Sequence, residues 1–429
     1  MVEMIRLNFP SLIRSFASGT GFLLIATGSG YAFSYLYLLV MGRLLGPETF
    51  GILGALFAIF YSVCLVGQAL MQAIATNVAE IKVRSGESAA VSFFIKLGVK
   101  LSIIYLLPAL ILIITSGPIA SFFHLTSTGP VILLAVSLFT ALLLNTLLGL
   151  LQGLQKFRQF GITGYLIAQG LKLITGVIFV WIGWDLMGAV GALFASTAIG
   201  TVVGLVLVRK HLTGENPNPG RHSPRLGPIL LPTLLLALFL SVPASVDVML
   251  VTHYFGGKEA GLYNAVATLG KVIVFLPMAV SLILLPRATE RHALEHSTRN
   301  ILLQSLVLTF ILSGGVALIY WGFPDIIVKI FFGEAYLEAG TLVSLYAAAM
   351  LLFSLNIVLI HYSLAIRNLW LMFLADSITL VEVVAIVLMH QSLFHIIWIL
   401  LWGNLLILMV NLPCLVFRKL GRYGHNLER

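Results

Sequence analysis

The sequence predicts an all-α polytopic membrane protein: twelve transmembrane helices in two pseudo-symmetric six-helix lobes, with both termini in the cytoplasm. Three observations lead there. The 429 residues are 59% hydrophobic and only 10% charged, with a mean hydropathy of +1.05, so the apolar side chains outnumber the core positions of any soluble globule of this length. The basic residues gather on alternate loops. And a glycine-containing turn, "RLLGPETFGILGA" from Arg43 to Ala55, returns as "HYFGGKEAGLYNA" from His253 to Ala265.

A hydrocarbon slab about 30 Å thick takes about 20 mostly apolar residues per helical crossing. Runs of that scale without Asp, Glu, Lys or Arg stand at Ser15 to Gly42, Thr49 to Ala79 and Leu186 to Val208. The first follows Arg6 and Arg14 in the manner of a signal peptide, but its 28 uncharged residues exceed an h-region, and it reads as a retained first span. Charges and Gly/Pro turns place spans at 18–42, 51–79, 97–116, 130–152, 161–184 and 186–208. A second set follows at 228–252, 262–286, 300–323, 342–366, 369–389 and 396–417. Residues 1–208 form the first lobe, and 228–429 the second with its basic tail. The Pro- and Gly-rich segment 209–227, "RKHLTGENPNPGRHSPRLG", is the cytoplasmic linker between them.

With the N-terminus inside, 20 of the 25 Lys and Arg residues fall on the cytoplasmic side. Only Arg43, Lys258 and Lys329 lie outside, and Lys172 and Lys271 fall within spans. This partition obeys the positive-inside rule, and one helix too many or too few would scramble it. The same asymmetry explains the net charge of +9 without a nucleic-acid partner. Cys64 and Cys414, the only cysteines, sit in apolar runs as small hydrophobes, so neither a disulfide nor a metal is expected.

The repeat extends beyond the turn. Gly46 matches Gly256, Gly51 matches Gly261 and Ala55 matches Ala265. "FFH" at Phe122 matches "FFG" at Phe331, Asn145 matches Asn356, and the basic turns at Lys156 and Arg367 follow in step. Two halves of six spans in the same order and orientation should be related by an axis along the membrane normal.

"GRLLGPETFGILGALFAIF", "LLQGLQKFRQFG" and "SVDVMLVTHYFGGKEAGLYNAVATLGKVIVFLP" together resemble the polysaccharide and oligosaccharide-lipid flippases of the multidrug/oligosaccharidyl-lipid/polysaccharide (MOP) exporter superfamily. The resemblance spans essentially the whole chain. It implies a MATE-like fold with a V-shaped pair of bundles, the first, second, seventh and eighth spans lining a central cavity. It also implies a multi-pass protein of the cell membrane that moves a polyprenyl- or dolichyl-diphosphate-linked glycan among membrane lipids, acting as a monomer.

Ionisable groups inside spans cost about 2.5–3.5 kcal/mol each on insertion scales, so they normally face a cavity or a partner. Lys271, on the eighth span, either attracts a diphosphate or pairs with Asp247 on the seventh. At an offset of 210 their counterparts in the first lobe are Tyr37 and Tyr61. Lys172 needs a partner or water, and its counterpart at 211 is Val383, beside Glu382. Asp376 and Glu382, six residues apart on the eleventh span, point about 240° apart and make no paired-carboxylate site. Either one is a candidate to couple transport to Na+ or H+, with Glu382 the deeper. Arg43 either closes an outer gate with Glu48 or Glu259 or anchors the first span at the head groups. Tyr31, Tyr35 and Tyr37 offer rings for stacking on sugars.

Three functions are compatible with this layout. A flippase working by alternating access fits best, with no cofactor. A cation-coupled multidrug or metabolite exporter of the same superfamily commonly carries an acidic site in the first lobe, whereas the first six spans here contain no embedded Asp or Glu. A membrane-embedded glycan-processing enzyme needs a carboxylate pair or nucleophile on a sizeable outer loop. The longest outer loop, 324–341, offers only Asp325, Glu334 and Glu338.

Overall fold

A computed structural model describes residues 19–209, 231, 235–236, 239–240, 245–293, 298–366 and 368–416. The expected linker, 209–227, lies outside the described residues apart from Arg209, as does about half of the seventh span. The described chain is helical throughout and divides into two compact units, Met1–Leu231 and Pro232–Arg429.

The first unit contains α1 (Gly19–Ser85), α2 (Glu87–Ile114), the short α3 (Ser116–Phe122) and α4 (Gly129–Gly153). After them come α5 (Phe157–Gly161), a π-helical turn (Ile162–Ile167), α6 (Ala168–Phe179), a second π turn (Val180–Trp184) and α7 (Asp185–Arg209). Among the described residues eight helices are long and apolar enough to cross a membrane, and two of these runs are far too long for one crossing. Gly21–Ser85 holds 65 residues, or ~98 Å of helix against a slab of about 30 Å. It turns back on itself. Tyr37 and Phe57 are 20 residues apart, ~30 Å along a straight helix, yet their rings stack with centroids 5.8 Å apart. The reversal is at Gly46, whose φ of 72° and ψ of 172° suit only glycine, with Pro47 next to it. The 53-residue run Phe157–Arg209 reverses in the same way at Gly183 (φ 94°) and Asp185 (φ 40°), which lays Phe179 on Trp184. α4 packs on α1 closely enough that a Cβ on Gly149 or Gly153 would stand 2.9 Å from the Met71 carbonyl or 2.7 Å from that of Ala75. Such backbone approach is what small residues permit in helix pairs within lipid.

The second unit contains α8 (Asp247–Tyr254), α9 (Gly257–Ala293), α10 (Arg299–Gly322) and the short α11 (Pro324–Phe331). A 3-10 turn (Glu334–Ala339) leads into α12 (Gly340–Ala365), followed by α13 (Leu369–Leu388) and α14 (Leu393–Val416). α12 is the core, packed by α9, α10 and α14. The glycines matched in the two turns, Gly256 and Gly46, both have positive φ, 61° and 72°. So do His124 (56°) and Gly333 (94°), which follow the matched "FF" pairs, and the second phenylalanine of each pair, Phe123 or Phe332, is buried. Sequence reading missed α3 and α11, because helices of seven or eight residues carry too little periodicity to stand out.

Large apolar side chains lie exposed along the outer faces, among them Ile103 and Leu107 of α2, Trp321 of α10 and Trp370 of α13. A hydrocarbon solvent requires no polar cover, and Trp belongs at its boundary.

Candidate functional site

Each unit buries a polar cluster against an apolar background. In the first, α6 carries Lys172 inward with only 2% exposure. Its ammonium donates to Ser34 Oγ at 2.9 Å and lies 5.3 Å from the centroid of the Tyr37 ring. Ser34 in turn shares a hydrogen bond with Tyr61 on the returning arm of α1. Tyr37 donates its hydroxyl to the Ala189 carbonyl at 2.8 Å, which ties α1 to α7. The structure therefore brings together three residues expected at the site, Lys172, Tyr37 and Tyr61, around a serine that sequence reasoning passed over. Tyr37 is fully buried and has no open ring face in this conformation, which corrects the expectation that it stacks on a sugar. Tyr31 is half exposed and meets Tyr165 edge to face at 6.0 Å, Tyr35 is partly buried, and Arg43 is exposed.

In the second unit Asp247 begins α8 and is completely buried. Its carboxylate accepts three hydrogen bonds: from the Val248 N–H at 2.8 Å, from Tyr263 at 2.9 Å and from Tyr346 at 3.1 Å. The two phenol rings meet edge to face, 5.8 Å apart. Lys271 on α9 is partly exposed and acts on Asp247 electrostatically, but among the described residues no ion pair joins them. The alternative of a contact ion pair is thus replaced by two phenols, one of them 99 residues away in sequence.

Asp376 and Glu382 are both buried, at 8% and 3% exposure, and none of their four carboxylate oxygens has a hydrogen-bond partner. The helical-wheel expectation that they do not share a face needs refinement. They sit ~120° apart at the two edges of one inward arc, with buried Thr379 between them. Glu382 lies against Gly403 of α14 so closely that any Cβ there would collide with its carboxylate, and it lies within the electrostatic reach of Asp247. Asn404, next to Gly403 in α14, accepts from Asn356 of α12 at its carbonyl at 2.9 Å and at its side-chain oxygen at 3.2 Å. α9 adds a further polar contact. Residue 277 is proline, with no N–H for the Ile273 carbonyl, and Ser313 and Ser354 donate to that oxygen instead at 3.0 and 3.1 Å.

Among the described residues no group of three or more His, Cys, Asp or Glu is placed to hold a metal ion. Chemically, the arrangement offers one buried ammonium, one fully hydrogen-bonded carboxylate and two buried carboxyl groups without donors.

The chain is similar over its length to solved transporters. An inward-facing multidrug-resistance MATE family transporter of the MOP superfamily superposes with a TM-score of 0.74 at 14% identity, over 90% of this chain and 94% of that one. An outward-facing MATE transporter gives 0.66 at 15%, over 94% and 96%. The lipid II flippase MurJ in an inward closed conformation gives 0.65 at 15%, over 90% and 87%. At these identities the likeness establishes a MATE-like fold. Comparison with curated protein sequences finds no match. The family model for polysaccharide biosynthesis proteins matches residues 16–292, well over half of the sequence, and the chain belongs to that family.

Proposed function

We propose that this protein is a flippase that carries a lipid-diphosphate-linked oligosaccharide from the cytoplasmic to the outer leaflet of the cell membrane by alternating access. The observation that carries the reading is its membership of the polysaccharide biosynthesis family on a MATE-like fold, a fold that also serves a protein named as a lipid II flippase. Transporters of this fold are solved facing inward and facing outward, which supports alternating access as the mechanism. The 20-to-3 partition of basic residues supports twelve spans with both termini cytoplasmic.

In this reading the polar glycan and its diphosphate travel along protein surface while the lipid tail stays in the bilayer. Lys271, partly exposed, supplies an ammonium for the diphosphate, and Asp247 with its two tyrosines holds the local field in place. Tyr31 supplies an open ring for a sugar and Arg43 an exposed cation at the turn. Glu382, with Asp376 behind it, takes up the coupling proton or sodium ion, because a buried carboxylate without donors is stable only with a positive partner or a proton. The protein works as a monomer and performs no covalent chemistry on the glycan.

Reconstitution into liposomes with a labelled polyprenyl-diphosphate oligosaccharide tests this. Intact protein should move the label across the bilayer, and Lys271→Ala should slow it about tenfold, the equivalent of ~1.4 kcal/mol. Equal rates would remove Lys271 from the cargo path. Dye transport without glycan movement would favour the second reading, a multidrug exporter, which the likeness to MATE transporters keeps in view.

A further inference from the structure

We propose that Lys172 is a built-in cation: its ammonium permanently fills, in the first unit, the position at which the second unit holds an exchangeable coupling ion. The inference rests on the reading of Glu382 as the coupling carboxylate.

The repeat supplies the register. The offset of 210 that places Gly46 on Gly256, both with positive φ, places Tyr37 on Asp247. An offset of 211 places Lys172 on Val383, next to Glu382. At the offset of 210 that pairs Tyr37 with Asp247, Lys172 itself falls on Glu382, so in the second unit both positions hold carboxylates, within electrostatic reach of one another, and the oxygens of Glu382 have no donor. Glu382, without a donor and with a second carboxylate in reach, needs a proton or a small cation, and either is free to exchange. In the first unit the corresponding helices, α1 and α6, bring an ammonium to a phenol ring instead, with Ser34 accepting one of its protons at 2.9 Å. The electron-rich face of Tyr37 is a cation site that requires no acid. The charge that occupies it is held by a four-carbon stem and cannot leave.

The neighbouring charges are consistent with this division. Facing Lys172, α1 presents Tyr37 and, through Ser34, Tyr61, while the π turn carries Tyr165. α7 has charged residues only at its ends, Asp185 and Arg209. The six expected spans of the first unit contain no Asp or Glu in sequence, so none of them offers a carboxylate for an exchangeable cation. Around Glu382, α8 presents Asp247, α12 carries Tyr346, Asn356 and His361, and α14 carries His395, Asn404 and Asn411. Ion exchange is thereby confined to the second unit, and the first unit is a fixed, pre-loaded copy of it.

Thermal unfolding of the full-length protein in detergent tests the idea without requiring transport. Lys172→Ala removes the ammonium and leaves space for a small one. Its Tm should rise with n-butylammonium and not with n-butanol at equal concentration, while the wild type, already filled, should respond to neither. Rescue by both, or by neither, overturns the proposal. If Lys172→Ala is not recovered, Lys172→Met decides. The stabilisation gained on adding sodium or on acidification should be as large in this variant as in wild type, and any change in its size overturns the proposal. Glu382→Gln separates the two layers of the argument. If the ion-linked stabilisation survives that substitution, the coupling reading fails, whatever the outcome at Lys172.

Discussion

The single carboxylate of Asp247 satisfies a backbone N–H and two phenols, from α9 and α12. Removing one phenol hydroxyl, in Tyr346→Phe, deletes one bond to that group, and bonds of this kind are worth about 1.5–3 kcal/mol. Asp247→Asn has a different effect. Tyr263 and Tyr346 both donate to Oδ2 and Val248 donates to Oδ1, so an amide must turn its NH2 toward at least one of these donors. A buried donor without an acceptor costs about 1–3 kcal/mol, on top of the lost bond. For a unit of roughly 200 residues each kcal/mol moves Tm by about 2–4 °C, so Tyr346→Phe should lower it by about 3–12 °C and Asp247→Asn by at least as much. Because both substitutions break the same contact, the double variant should lose about 1–2 kcal/mol less than the sum. Intrinsic-fluorescence unfolding of the four proteins in detergent measures all three quantities. Additivity within about 0.5 kcal/mol would show that Tyr346 and Asp247 are not coupled, and the reasoning would be refuted.

Gly46→Ala places a side chain at φ 72°, ψ 172° and should destabilise the first unit by about 1–3 kcal/mol, whereas Gly28→Ala in the same element, where a Cβ meets nothing within 4 Å, should be nearly neutral; unfolding of both variants compares them. Gly403→Ala should displace the Glu382 carboxylate at a cost of about 1–3 kcal/mol and also diminish the stabilisation by sodium or acid, and an intact ion response would show that Glu382 is not its source.

The fold was legible wherever one physical constraint acts locally. Gly46 and Gly256 could be matched from sequence because the reversal between two antiparallel helices demands a backbone that only glycine adopts without strain. The tightness of that reversal was not legible. Separate spans at 18–42 and 51–79 leave room for an eight-residue turn, yet helical geometry resumes on both sides of a single residue. The early start of α2, at Glu87 instead of 97, escaped for the opposite reason. Residues 87–96 contain Glu87, Ser88, Ser92 and Lys96, which a search for apolar runs rejects, although a helix end outside the hydrocarbon tolerates them.

The site divides along the same line, between what one residue reveals and what takes several. Lys172, Asp247, Asp376 and Glu382 were conspicuous because a charge in a span is costly wherever it stands, and all four are buried. Their partners were invisible. Ser34 lies 138 residues from Lys172 and Tyr346 lies 99 from Asp247, and serine and tyrosine are too common in spans to announce a role. Opposite charges on adjacent helices make an ion pair with Asp247 one of two alternatives for Lys271, but a carboxylate already holding three donors has little need of an ammonium in contact. That leaves Lys271 partly exposed, with its charge directed by Asp247 but not quenched by it. A lysine so placed can still attract an anion from outside the fold, whereas one locked in an ion pair would first have to give up its partner. The two tyrosines therefore satisfy Asp247 without Lys271, and the cargo role proposed for its ammonium draws on that.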